Sequence, residues 1–239
     1  MRSSNFAINE KVFSEVYGSA SGSAMTIEGT VNKSAFLLLL VLTGASLTWA
    51  NPASGLTLLG VIGGLITGFI TIFKKHLSMY TAPAYALFQG LFLGGLSAMF
   101  EASYPGIVIQ AVTLTFGTAG GLLIAYRSGM IPVTENFKLG VVAATGGIAL
   151  TYFIGFILSF FGLNLSFGLN GGLIGIVFNL FVVVIAALNL VLDFDFIEDA
   201  SKRNVPKYME WYASFGLMVT LIWLYIEFLK LIARFSRRD

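Results

Sequence analysis

The stretch that decides the fold is GGLIGIVFNLFVVVIAALNLVLDFDFIED, running from Gly171 to Asp199. Between Gly171 and Leu192 it has no ionisable residue, and then Asp193, Asp195, Glu198 and Asp199 follow within seven positions. An uncharged apolar run of about 20 residues is long enough to cross the roughly 30 Å hydrocarbon layer as a helix. The acidic cluster that closes it puts at least Asp193 at or inside the hydrocarbon boundary. Ionisable groups placed there are costly and tend to be functional.

Working outward, the same kind of run recurs. Apolar stretches cover residues 34–50, 54–73, 81–100, 106–126, 137–161, 171–197 and 208–235. The chain is 56% hydrophobic and only 11% charged, against about a quarter charged in soluble domains, and its mean hydropathy is +0.85. The expected fold is therefore all-α, a polytopic bundle of seven transmembrane helices. Three parts follow: a polar, partly flexible tail over residues 1–33, a membrane domain over 34–235 and a basic tail over 236–239. Within the first part, Tyr17 to Ser23 reads as a linker and Met25 to Lys33 as a short interfacial segment.

Local chemistry fits these boundaries. Asn51-Pro52, Tyr104-Pro105-Gly106, Ile131-Pro132 and Val205-Pro206 punctuate the loops, and Pro83 is expected in the first turn of the third span. Trp49, Tyr80, Tyr104, Tyr126, Trp211 and Tyr212 fall near span ends, where amphipathic rings favour the interface. Gly60/Gly64/Gly68, Gly90/Gly94 and Gly168/Gly172 recur at a spacing that lets helices approach closely.

Lys and Arg set the expected orientation. Arg2, Lys11 and Lys33, then Lys74 and Lys75, then Arg127 and Lys138, then Lys202, Arg203 and Lys207 occupy alternate connections. Loops rich in these residues stay in the cytoplasm, so the amino terminus is expected on the cytoplasmic face of the cell (inner) membrane. Lys230, Arg234, Arg237 and Arg238 break the pattern. Either the last tail is an exception or the seventh helix re-enters.

Several chemistries are excluded early. The chain has no Cys and a single histidine, His76, in the polar turn Lys74-Lys75-His76. Thiolate metal sites, disulfides and His-dependent triads lack their parts. No catalytic residue and no cofactor are expected, and the chain is expected not to be an enzyme. A net charge of +2 gives no reason to expect nucleic acid.

The acidic run carries the functional reading. Residues two apart on a helix point about 200° from each other, so Asp193 and Asp195 need partners elsewhere. Asn189, four residues earlier, shares a face with Asp193, whereas Glu198 and Asp199 lean toward water. Counting antiparallel depth from a turn centred near Arg203 sets Glu210 level with about Phe196, and Glu227, roughly 36 Å along its helix, level with Asn179. Depth therefore favours Glu210 as the partner of Asp193 or Asp195. Two close carboxyls in a poorly solvated place share a proton and respond to pH, or attract calcium. The alternative is an interfacial salt-bridge cluster with Lys202, Arg203 and Lys207. Glu101 reads as a boundary residue or the mark of an outer vestibule, Glu227 as a partner of Lys230 or a transport residue, and Asn179 and Asn189 as interhelical hydrogen bonders.

Seven apolar helices with the sixth ending in aspartate resemble the Bax inhibitor-1 (TMBIM) superfamily, and its bacterial YccA-like branch in particular. The segments that carry the likeness are Met1-Arg-Ser-Ser-Asn5, Leu188-Asn-Leu-Val-Leu-Asp-Phe-Asp-Phe-Ile-Glu198, Pro206-Lys-Tyr-Met-Glu-Trp-Tyr212 and Trp223-Leu-Tyr-Ile-Glu227. The resemblance implies six helices around a central seventh and a pH-sensitive carboxylate pair, one each on helices six and seven, that controls a calcium leak. The helix-six position of that pattern matches Asp193 with Ile197. For helix seven, the pattern fits Glu227-Phe228-Leu229 whereas depth favours Glu210. Gating residues are thus expected at Asp193, Asp195 and Glu210, with Glu227, Asn189 and Glu198 as secondary candidates, and Asp193 and Asp195 as calcium ligands. A membrane protease complex is the implied alternative partner, for a protein that conducts nothing.

Overall fold

The computed structural model describes residues 24–161 and 172–236. The linker at Tyr17 to Ser23, the Met1-to-Asn5 segment, the Gly168/Gly172 close approach and the tail beyond Ser236 lie outside what it describes in full.

Among the described residues, seven helices are long and apolar enough to cross a membrane, as the hydropathy pattern predicts. They are α1 (Ile27–Trp49), α2 (Gly55–Phe73), α3 (Ser78–Ser103, after a 3₁₀ turn at Lys75–Leu77), α4 (Ile107–Arg127), α5 (Glu135–Phe160), α6 (Gly172–Lys202) and α7 (Met209–Ser236). Helices are the natural answer to a solvent that cannot hydrogen-bond the backbone. Their exposed faces are clad in Leu, Ile, Phe and Val, as on α2 at Leu58, Leu65 and Phe69. This is a multi-pass membrane protein.

Three expectations are corrected. The first helix begins at Ile27, well inside the segment read as polar and interfacial. Thr26 caps it, its hydroxyl accepting from the Gly29 amide at 3.0 Å, and the polar residues of its first turns find partners on α7. Hydropathy cannot see such partners. Second, α3 starts at Ser78, so Pro83 lies inside the helix rather than in its first turn. Third, α7 is one unbroken helix. It does not re-enter, and Lys230 and Arg234 lie at the opposite end from Met209.

Two packing styles coexist. α1 and α2 pack on α3 through glycines: a Cβ on Gly90 would sit 2.3 Å from the Val41 carbonyl oxygen, and one on Gly94 2.2 Å from that of Ala45. α7 packs against α1, α3, α4 and α6, and 61% of its most apolar stretch is buried. For α5, which rests on α6, the figure is 11%.

The ends are sewn together. Ser78 Oγ donates to the Tyr208 carbonyl at 3.2 Å, and the Met25 amide donates to the Val205 carbonyl at 2.8 Å. Asn204 makes the turn between α6 and α7 at φ 52°, a left-handed conformation that Asn tolerates better than most residues. Lys33, Lys74, Lys75, Arg127, Lys138, Lys202 and Arg203 consequently gather at one end of the bundle. The sorting of basic residues onto alternate connections is a real asymmetry of the fold.

Candidate functional site

Asp193 sits on α6 with no exposure at all, and Asn189, one turn earlier, is also buried. The Asn189 side-chain amide donates to Thr145 Oγ1 on α5 at 2.9 Å and to the Ile185 carbonyl at 2.8 Å. At about 100° per residue, Asn179, Asn189 and Asp193 fall within about 80° of each other around α6. They make a polar stripe along a helix whose other buried positions are apolar.

The acidic residues beyond Asp193 each hold a different element. Asp195 accepts from Lys138 Nζ of α5 at 2.8 Å, and Lys138, though charged, is buried to 6% exposure. Glu135, also on α5, lies 3.8 Å from the same ammonium. Glu198 accepts from Tyr126 Oη of α4 at 2.7 Å and pairs with Lys202. Asp199 accepts from Arg203 Nε, the two approaching to 2.9 Å. The salt-bridge reading therefore holds for Glu198 and Asp199, with Lys202 and Arg203 as the partners anticipated. It also reaches Asp195, through a lysine whose role in pairing the sequence did not disclose.

Glu210, fully buried, is engaged by α1. Its Oε1 accepts from the Thr26 amide at 2.9 Å and the Thr26 hydroxyl at 3.0 Å, and its Oε2 pairs with Lys33. Lys33 also lies over the Trp211 ring, 5.3 Å from its centroid. The depth count put Glu210 at the right end of the bundle, but its polar partners come from the amino-terminal helix. Gly29 makes room for it, since a Cβ there would lie 2.3 Å from Glu210 Oε1.

Toward the other end, Glu227 is 1% exposed. It accepts from Asn179 Nδ2 at 2.8 Å, so the predicted level of these two residues is correct. Its Oε1 accepts from Lys230 Nζ at 2.5 Å, and from Trp223 Nε1 and Tyr152 Oη of α5 at 3.2 Å each. Both interhelical roles expected for the asparagines are present, and so is the local pair with Lys230. Glu101 is a partly exposed boundary residue near the end of α3. Its carboxylate caps α4, accepting from the Gly106 amide at 2.6 Å and the Val108 amide at 3.0 Å, where a helix start favours negative charge.

Among the described residues, no three His, Cys, Asp or Glu side chains gather as a metal ion would require. Of the two aspartates expected as cation ligands, Asp195 already has an ammonium against its carboxylate. The site as built can hold helices together by charge and change when a charge changes.

One known group of proteins shares this sequence pattern. The family model described as Bax inhibitor 1 like matches residues 5–237. The chain has no match among curated proteins.

Proposed function

The chain belongs to the Bax inhibitor 1 like family, and from that premise we propose that it is a cation leak, calcium foremost, controlled by protonation at Asp193. On this reading it is not an enzyme and needs no cofactor. It belongs to the bacterial YccA-like branch on the strength of the Leu188-to-Glu198 and Pro206-to-Tyr212 segments. It sits in the inner membrane with the basic end of the bundle in the cytoplasm, as loops rich in Lys and Arg favour.

The observation that supports it most is the complete burial of Asp193, on the polar face of α6 and two residues before Asp195, which pairs with Lys138. A proton gained or lost there changes the charge of the bundle interior, where charge costs most. Asp195 is the second carboxylate of the site on this reading. Glu210, held by Thr26 and Lys33, anchors α1. Calcium suits a passage of carboxylate and amide oxygens.

The test is calcium flux into liposomes by purified protein and by Asp193→Asn. The wild type should change its flux between about pH 6 and about pH 8, and the variant should be insensitive over that range. An unchanged pH profile in the variant would sink the assignment of Asp193. No flux at any pH, together with co-purification of a membrane protease complex, would favour the non-conducting regulator.

A further inference from the structure

α5 meets the rest of the bundle along one narrow seam. Lys138, Val141, Thr145, Ile148 and Tyr152 follow one another at alternating steps of three and four, the spacing of a coiled-coil seam. The polar members each meet a partner on α6 or α7. Lys138 binds Asp195 at 2.8 Å, Thr145 accepts from Asn189 at 2.9 Å, and Tyr152 donates to Glu227 at 3.2 Å. Between these, Ile148 packs with Val182 and Ile185 of α6. Positions seven apart are thus polar all the way across, and the positions between them are apolar.

The chemistry of that alternation matters in lipid. Val141 and Ile148 lose little on moving from α6 into acyl chains, because lipid tails are as apolar as a helix face. Attachment of α5 thus depends on its polar contacts, which include the Lys230 ammonium of α7 donating to Tyr152 Oη at 3.2 Å. Each partner keeps something when α5 leaves. Asn189 still donates to the Ile185 carbonyl, and Glu227 keeps Asn179, Trp223 and Lys230. Asp195 has a side chain 26% exposed, so water can replace the ammonium. Lys138 lies in the first turns of α5 and can reach the interface, and the Thr145 hydroxyl can turn to its own helix, as threonines do. On the α3 side no such fallback exists, because backbone sits directly on backbone.

We propose that α5 is a lateral gate: it parts from α6 and α7 along the Lys138/Thr145/Tyr152 seam, and the groove so opened, with Asp195, Asn189 and Glu227 along its wall, is the polar path across the bundle. The cargo of that path rests on the leak reading; the motion does not. Lys138 to Tyr152 spans 14 residues, about 21 Å of helix, which covers most of the hydrocarbon layer.

The chain has no Cys, so engineered pairs report cleanly. I148C with I185C, which leaves the polar contacts untouched, should lower calcium flux at least about tenfold when oxidised in liposomes, with recovery on reduction; T145C with N189C tests the same seam at its polar middle, its oxidised flux read against its own reduced form. Full flux through quantitatively crosslinked protein in both pairs would overturn the gate while leaving the leak standing. If the parent protein carries no flux, the leak reading fails and the motion is read by spin labels instead. Labels at Leu139 on α5 and Leu58 on α2 should then give two distance populations, the longer removed by either crosslink. A single distance unaffected by crosslinking would overturn the gate on its own.

Discussion

α3 and α5 are both 26-residue helices, yet they are held in opposite ways. α3 is gripped by α1 and α2 through glycines that bring backbones into contact, whereas α5 lies against α6 on a stripe of alternating polar and apolar side chains. In a solvent without a hydrophobic drive between helices, packing contact and polar contact are the main sources of cohesion. The bundle uses one on each side. Close backbone packing is lost abruptly when anything is inserted, but polar contacts can be exchanged for water, lipid headgroups or a helix's own carbonyls. One side is suited to be a frame, and the other to move.

The sharpest way to break this contrast is to add a methyl group to each side. Gly90→Ala would force its Cβ to within 2.3 Å of the Val41 carbonyl oxygen and 2.9 Å of Gly44 Cα, with no flexible side chain able to yield. Overpacking of this kind costs about 1–3 kcal/mol and sometimes more, and backbone contact puts this substitution at the upper end. Gly147→Ala on α5 meets nothing within 4 Å and should be neutral or gain up to about 1 kcal/mol from helix propensity. Thermal unfolding in detergent measures both. Equal effects would mean that the two sides are not packed differently.

A smaller effect is expected at the end of α5. Lys138→Met removes the ammonium that faces Asp195, leaving a carboxylate whose nearest cation is gone. Breaking a fully buried pair costs about 3–5 kcal/mol; Asp195 keeps 26% exposure, so about 1–3 kcal/mol is expected here. The double variant Lys138→Met with Asp195→Leu should recover most of it, because an apolar pair needs no partner in this setting. A double variant as unstable as the single one would show that Lys138 contributes by shape and not by charge.

Much of this was visible in the sequence, and the parts that were not share a cause. Uncharged runs and Pro-marked loops located the helices, and counting from the α6–α7 turn placed Glu227 beside Asn179, because antiparallel neighbours joined by a short turn have only one register. The partners of Asp195 and Glu210 escaped for the opposite reason. Lys138 and Lys33 lie far away in the chain, on helices whose rotation about their own axes no hydropathy pattern sets. A lysine at a span end ordinarily faces water, so in the sequence both mark only the membrane side. The polar repeat at Lys138, Thr145 and Tyr152 was present all along at intervals of seven. On a helix otherwise apolar, three such residues are a readable seam, and that signal would have predicted which face of α5 turns inward.

The finest probe of the contrast is the middle of that seam. Thr145→Val keeps the shape of the side chain and removes the acceptor for Asn189. Interhelical hydrogen bonds in membranes average about 0.6 kcal/mol, and Asn189 retains its bond to the Ile185 carbonyl, so stability should fall by about that amount or less. If α5 is held by the sum of small polar contacts, this loss should appear mainly as faster hydrogen exchange in α5, with α3 unchanged. Exchange that quickens equally in both helices would mean that the bundle opens as one body, and the division into frame and gate would fail.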